Sequence, residues 1–202
     1  EADGSLNTDR VLEAITTKTK LIAVTHCSNV LGTVVDVKTI CAGAKSKGIP
    51  VLVDGSQGAV HMPVDVADLG CDFYPITGHK LYGPSGSGAI YISKERQAEM
   101  RPFIGGGDMI KEVSKDKVIY NDPPMKFEAG TPNIAGVIGL GAAVEYLEEL
   151  GMDFVEEHES NLTEYALSEL SKVEGVTVYG PKNNEKRIGV ISFNVEGIHG
   201  HD

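Results

Sequence analysis

Apolar positions along the first hundred residues fall into short, nearly unbroken runs separated by amphipathic stretches. LIAVTH (21–26), VLVDG (51–55), CDFYPIT (71–77) and GSGAIYIS (86–93) have the length of strands, and the first two read as buried on both faces. Between those two, VLGTVVDVKTICAGAKSKG places Val37, Ile40, Cys41 and Ala44 on one helical face, and Gly48 and Pro50 end that helix. A short helix ending at Leu69-Gly70 and another over KERQAEMRPF (94–103) follow the same rhythm. Strands alternating with helical crossovers predict an α/β domain with a mostly parallel sheet sandwiched by helices. Ligands of such sheets bind beyond the carboxyl ends of the strands. Asp54 and residues 77–80 fall at such ends.

The texture changes after Thr131. NIAGVIGLGAAVEYLEELG (133–151) and MDFVEEHESNLTEYALSELSKV (152–173) predict two long helices, and VTVYG (176–180) and RIGVISFNV (187–195) two strands joined by a polar link. The expected organisation is therefore part of a large domain over residues 1–132. Residues 133–202 would supply connecting helices and an incomplete, smaller α+β domain. The chain begins without Met and stops at HGHD, just past a strand-like run, so a piece of a longer protein is expected.

Composition narrows the function classes. Of 202 residues, 41% are hydrophobic and 23% charged, which suits a globular chain. The net charge of -11 and pI near 5.0 argue against a nucleic-acid partner, which would need clustered Lys and Arg. No apolar run approaches the roughly 20 residues of a membrane span, and EADGSLNTDR at the start lacks a signal-peptide pattern. Cys27, Cys41 and Cys71 are odd in number, far apart and without metal spacing. The expectation is a reducing, cytoplasmic setting and no metal site.

The candidate chemistry lies in PITGHKLYGPSGSGAIYIS (75–93), where Lys80 follows an apolar strand and precedes a glycine cluster. An enzyme that uses pyridoxal phosphate needs a lysine to join the aldehyde and a carboxylate to keep the ring nitrogen protonated. It also needs hydroxyl and backbone N–H donors for the phosphate. Asp54 closes VLVDG, and Lys80 lies past the next strand, so two neighbouring strand ends would aim carboxylate and amine at one ring. Alone, each has a blander reading: a loop lysine is usually a solvated charge, and an Asp after an apolar run usually caps a turn. Residues 105–107 read equally as an anion cradle or a plain glycine turn. His26, His61 and His158 read as structural or surface residues. GPSGSG (83–88) precedes a strand, which is the wrong context for a dinucleotide fingerprint.

Taken in order, THCSNVLGT (25–33), VLVDGSQGAVHMPVDV (51–66), LGCDFYPITGHKLYGPSGSGAIYI (69–92), IGGGDMI (104–110) and FEAGTPN (127–133) carry a resemblance. The chain resembles the middle part of a cysteine desulfurase of the SufS type, among the class V aminotransferase-like, fold-type I pyridoxal-phosphate enzymes. YGP (179–181) and IGVISFNVEGIHGHD continue the likeness to the end.

The resemblance implies that Lys80 is the Schiff-base lysine, Asp54 the partner of the pyridinium nitrogen, and Gln57 a hydrogen bond to the ring's phenolic oxygen. Thr77 (often serine in the family) and His79 would bind the phosphate. Thr131 would reach the phosphate of a neighbouring subunit, which implies a homodimer. Asn29 would lie near the substrate carboxylate and the ring oxygen. The implied substrate is L-cysteine or, as a close variant, L-selenocysteine. The implied products are alanine and an enzyme persulfide passed to a sulfur-acceptor or scaffold protein for iron–sulfur cluster assembly. The family's persulfide cysteine is expected beyond Asp202, and Cys27, Cys41 and Cys71 read as buried on strand or helix positions. The alternatives that stay open are another class V reaction, such as an aminotransferase or a kynureninase-like hydrolase, and a cofactor-free dimerisation or partner-binding domain.

Overall fold

The computed structural model describes residues 1–183 and 186–201. Asn7 opens the first helix, α1 (Thr8–Glu13), its side chain accepting from the Arg10 amide. Strand β1 (Ile22–Thr25) follows, then α2 (Val37–Ser46), capped by the Asp36 carboxylate on the Thr39 amide at 3.0 Å. The face predicted for α2 is the one it buries: Val37, Ile40, Cys41 and Ala44 are each 2% exposed or less. α1 packs on α2 at Gly43, where an added Cβ would lie 2.5 Å from Leu12 Cδ2, so a side chain there would have to displace Leu12.

Strand β2 (Val51–Asp54) pairs in parallel with β1, from Ile22 opposite Val51 to Thr25 opposite Asp54. Two single-turn helices, α3 (Gly58–His61) and α4 (Val66–Leu69), lead to β3 (Phe73–Thr77), parallel to β2. α4 ends on Gly70 at φ +68°, a left-handed stop that a side chain would strain. A turn of 3₁₀ helix (Gly78–Lys80) follows, and β4 (Gly88–Ile92) returns antiparallel to β3, Thr77 facing Gly88. The connection to β4 is too short for a crossover helix, so this edge strand cannot be parallel. The sheet order is β1-β2-β3-β4. Val51, Val53 and Tyr74 pack against the buried face of α2 in one cluster, each apolar side chain contributing about 1.5–3 kcal/mol.

The helix predicted over residues 94–103 is shorter: α5 (Lys94–Glu99) ends where Met100 turns extended, two residues ahead of Pro102. Strands β5 (Ile110–Val113) and β6 (Val118–Tyr120) form a hairpin that the pattern did not announce, since all four β5 residues are exposed. The long helices are α6 (Ile134–Leu150) and α7 (Met152–Leu170). Leu140 and Leu147 of α6 join Val60 and Leu81 in a second buried cluster. α6 thereby bears on the segment after Lys80. An added Cβ on Gly139 would meet Pro84 Cγ at 2.6 Å.

Strands β7 (Val176–Tyr179) and β8 (Ser192–Val195) pair antiparallel. The single strand predicted over 187–195 is therefore split. Its first part bonds to the loop after β1 instead, with Arg187 bridging Thr33 and the Ile188 amide donating to the Gly32 carbonyl at 2.8 Å. The cause is the buried Arg187 guanidinium, which donates to the carbonyls of Pro181, Leu31 and Val190. The polar link predicted between the two strands includes residues 184 and 185, which lie outside the described residues, as does Asp202. Among the described residues, no helix is long and apolar enough to cross a membrane.

Candidate active site

Parallel pairing brings the carboxyl ends of β1, β2 and β3 to one edge. The Asp54 carbonyl accepts from the His26 amide at 2.9 Å, and the Gly55 amide donates to the Pro75 carbonyl at 3.0 Å, so the Asp54 turn is held from both sides. Its side chain is exposed; Oδ1 accepts from the Ser56 amide at 2.9 Å, and Oδ2 has no partner among the described residues.

Beneath this turn lies a neutral pair. His26 Nδ1 and Tyr74 Oη are 2.9 Å apart, with the rings edge to face at 82°. Burial holds the His26 imidazole below its ordinary range and pushes the Tyr74 phenol up, so neither carries charge at neutral pH. Glycine is required above them. A Cβ on Gly55 would sit 2.0 Å from Tyr74 Cε1, and one on Gly58 2.5 Å from His26 Nδ1.

Lys80 closes the 3₁₀ turn after β3. The Gly78 amide donates to the Ser87 carbonyl at 2.8 Å, and the Leu81 and Gly83 amides both donate to the Gly78 carbonyl. Leu81, 5% exposed, anchors the turn in the second cluster, leaving Lys80 half-buried and without a hydrogen-bond or ion-pair partner among the described residues. Tyr82, two residues on, sits at φ +60°, a strained backbone for a bulky side chain and one that gathers at functional sites. Thr77 Oγ1 is buried without a hydrogen-bond partner among the described residues. Such a hydroxyl costs about 1–3 kcal/mol unless a ligand oxygen meets it. That orphaned donor, the Lys80 amine and the Asp54 carboxylate fit the phosphate, aldehyde and ring nitrogen of pyridoxal phosphate.

The other predicted residues divide. Gln57 is half-buried in the turn that opens α3, and Asn29 is exposed in the loop that follows β1. His79 is exposed in the Lys80 turn. Thr131 lies in the segment entering α6, whose cap Asn133 donates to the Gly86 carbonyl at 3.3 Å; among the described residues no hydrogen bond joins Thr131 to the strand ends. Cys41 lies in α2, whereas Cys27 and Cys71 lie just outside the strands that were expected to hold them. All three are buried. Desolvation pushes the Cys27 and Cys41 thiols up to about 12 and raises Cys71 too, so none offers a thiolate near neutral pH. His61 was read as structural or surface; it proves to bridge Gln57 and Glu159 of α7. The spacing of four between Gln57 and His61 was the signal for the first contact. None announced Glu159.

A mixed sheet clothed by helices, with a carboxylate and a lysine at adjoining strand ends, is the architecture of fold-type I pyridoxal-phosphate enzymes. Superposition agrees. The cysteine desulfurase CsdA from Escherichia coli matches the whole chain at TM-score 0.92 and 39% identity, and the cysteine desulfurase from Thermococcus onnurineus NA1 at 0.90 and 40%. A third structure, C-DES with glycine covalently linked to its PLP cofactor, matches 99% of the chain at TM-score 0.88 and 25% identity. The chain belongs to the aminotransferase class-V family, whose model matches residues 1–202. Curated relatives include a probable cysteine desulfurase of Xylella fastidiosa, 50% identical over 99% of this chain, and a cysteine desulfurase of Yersinia pestis, 48% identical over 100%. The chain spans about half their length, 48% and 49% respectively.

Proposed function

We propose that this chain is the cofactor-holding part of a pyridoxal-phosphate-dependent cysteine desulfurase of the SufS type. The full-length protein would remove sulfur from L-cysteine, leaving L-alanine and an enzyme persulfide. The observation that carries the reading is the emergence of Asp54 and Lys80 at adjoining ends of β2 and β3, with the unpartnered Thr77 hydroxyl at the same edge.

Bound pyridoxal phosphate supplies a ring into which charge from a deprotonated substrate α-carbon spreads. The residues of this chain do the rest. Asp54 Oδ2 accepts from the ring N–H and keeps that nitrogen protonated. Lys80 Nζ would hold the cofactor at its aldehyde carbon and would carry the substrate's α-proton. Thr77 and His79 donate to the phosphate, Gln57 donates to the phenolic oxygen, and Asn29 orients the substrate carboxylate. Cys27, Cys41 and Cys71, buried and held as thiols, stay out of the reaction, so the attacking thiolate is assigned outside this chain. Thr131, with no hydrogen bond to its own strand ends among the described residues, would serve the phosphate site of a second copy in a homodimer. The persulfide would pass to an acceptor or scaffold protein in the cytoplasm for iron–sulfur cluster assembly. L-selenocysteine fits the same residues as a substrate.

The test uses the full-length protein supplied with pyridoxal phosphate and L-cysteine. With a thiol reductant added to release the persulfide sulfur as sulfide, sulfide and alanine are expected in equal amounts, and Lys80→Ala should abolish both. Pyruvate-dependent transamination without sulfide would replace the reading with an aminotransferase. A protein that stays colourless with added pyridoxal phosphate would replace it with a cofactor-free binding domain.

A further inference from the structure

Gln57 is the first member of a chain of side chains. Its Oε1 lies 3.3 Å from His61 Nε2, and His61 Nδ1 lies 2.6 Å from Glu159 Oε2. Gln57 and His61 share one helical face, whereas Glu159 arrives from α7, 98 positions after His61. The His61 and Glu159 side chains are only 16% and 24% exposed, so the contact is shielded from most of the solvent.

Donor chemistry orders the chain. A carboxylate only accepts, so His61 Nδ1 donates to Glu159. The Gln57 amide turns its oxygen, not its nitrogen, toward His61 Nε2. The amide nitrogen of Gln57 then turns away from His61 with both N–H groups free to donate.

We propose that Glu159 is a positioning residue. Acting through His61, it holds the Gln57 amide with its NH2 group outward, as a donor to an anionic oxygen of the ligand gripped by Asp54 and Lys80. This rests on the pyridoxal-phosphate reading, in which that oxygen is the ring's phenolate.

A double-mutant cycle in the full-length protein tests it. The readouts are the dissociation constant for pyridoxal phosphate and the position of the visible absorption band. Glu159→Gln keeps size and an acceptor but removes the charge. It should weaken binding about tenfold and shift the band, since one charge-assisted contact is misdirected. In a Gln57→Ala background the same change should cost less than about twofold, because the residue it acts through is gone. Equal losses in both backgrounds, or none in either, would overturn the proposal; general damage to the fold would appear in both and count against it. A wild-type protein that takes up no pyridoxal phosphate overturns the reading of the site, and this one with it. Normal wild-type binding with additive losses overturns the positioning role alone.

Discussion

Replacing Gly55 by alanine probes the contact on which the Asp54 turn rests. The new methyl would lie 2.0, 2.2 and 2.7 Å from Tyr74 Cε1, Cζ and Cδ1. Ordinary carbon contact begins near 3.5 Å, so the ring must retreat by about 1.5 Å. It has little room: Tyr74 is 3% exposed, packed in the main core, and tied through Oη to His26. Overpacking of this kind costs about 1–3 kcal/mol. Parting Tyr74 from His26 leaves buried polar atoms unsatisfied, at about 1–3 kcal/mol more. A loss of about 2–6 kcal/mol is expected, read as a shift in the denaturant midpoint of the full-length apo protein. Because Gly55 has no positive φ, backbone strain adds nothing, and Gly55→Ala combined with Tyr74→Leu should recover the overpacking share alone, since His26 Nδ1 still lacks its partner. A Gly55→Ala protein within about 0.5 kcal/mol of wild type would refute the close-packed floor.

Thr77→Val should divide two measurements that usually move together. Removing a buried, unpartnered hydroxyl should leave apo stability unchanged or up to about 1 kcal/mol higher, while affinity for pyridoxal phosphate falls; a parallel loss of both would place the hydroxyl in an internal bond instead. The buried thiols give a pH dependence. Cys27 and Cys41 are raised from 9.0 to about 12 in the folded chain, so their contribution to stability is complete below pH 9 and lost as pH rises from there toward 12. Denaturation midpoints measured across that window should fall, and a Cys27→Ala, Cys41→Ala variant should fall less steeply. Arg187→Ala should cost about 2–4 kcal/mol in the same denaturation assay, because three carbonyls lose one buried donor group.

The parts of this molecule that were legible in the sequence are those governed by local pattern. Val37, Ile40, Cys41 and Ala44 announced the buried face of α2, and unbroken apolar runs announced β1, β2 and β3, which placed Asp54 and residues 77–80 at strand ends. What stayed hidden depends on partners far along the chain. The β5–β6 hairpin buries almost nothing and so leaves no apolar alternation to read. The strand expected over 187–195 broke because Arg187 takes the Leu31 carbonyl from 156 positions away. For the same reason the His61–Glu159 contact had no signature: its two halves sit in separate helices, each unremarkable alone.

The central claim is that Lys80, opposite Asp54, is the amine that takes the cofactor, and its most direct measurement is a map of where the cofactor binds. The full-length protein would be loaded with pyridoxal phosphate, treated with borohydride to fix the bond, digested and analysed by mass spectrometry. The account predicts a phosphopyridoxyl group on the peptide carrying Lys80, and its loss in Lys80→Ala. Labelling of another lysine in its place, or of none, would contradict it.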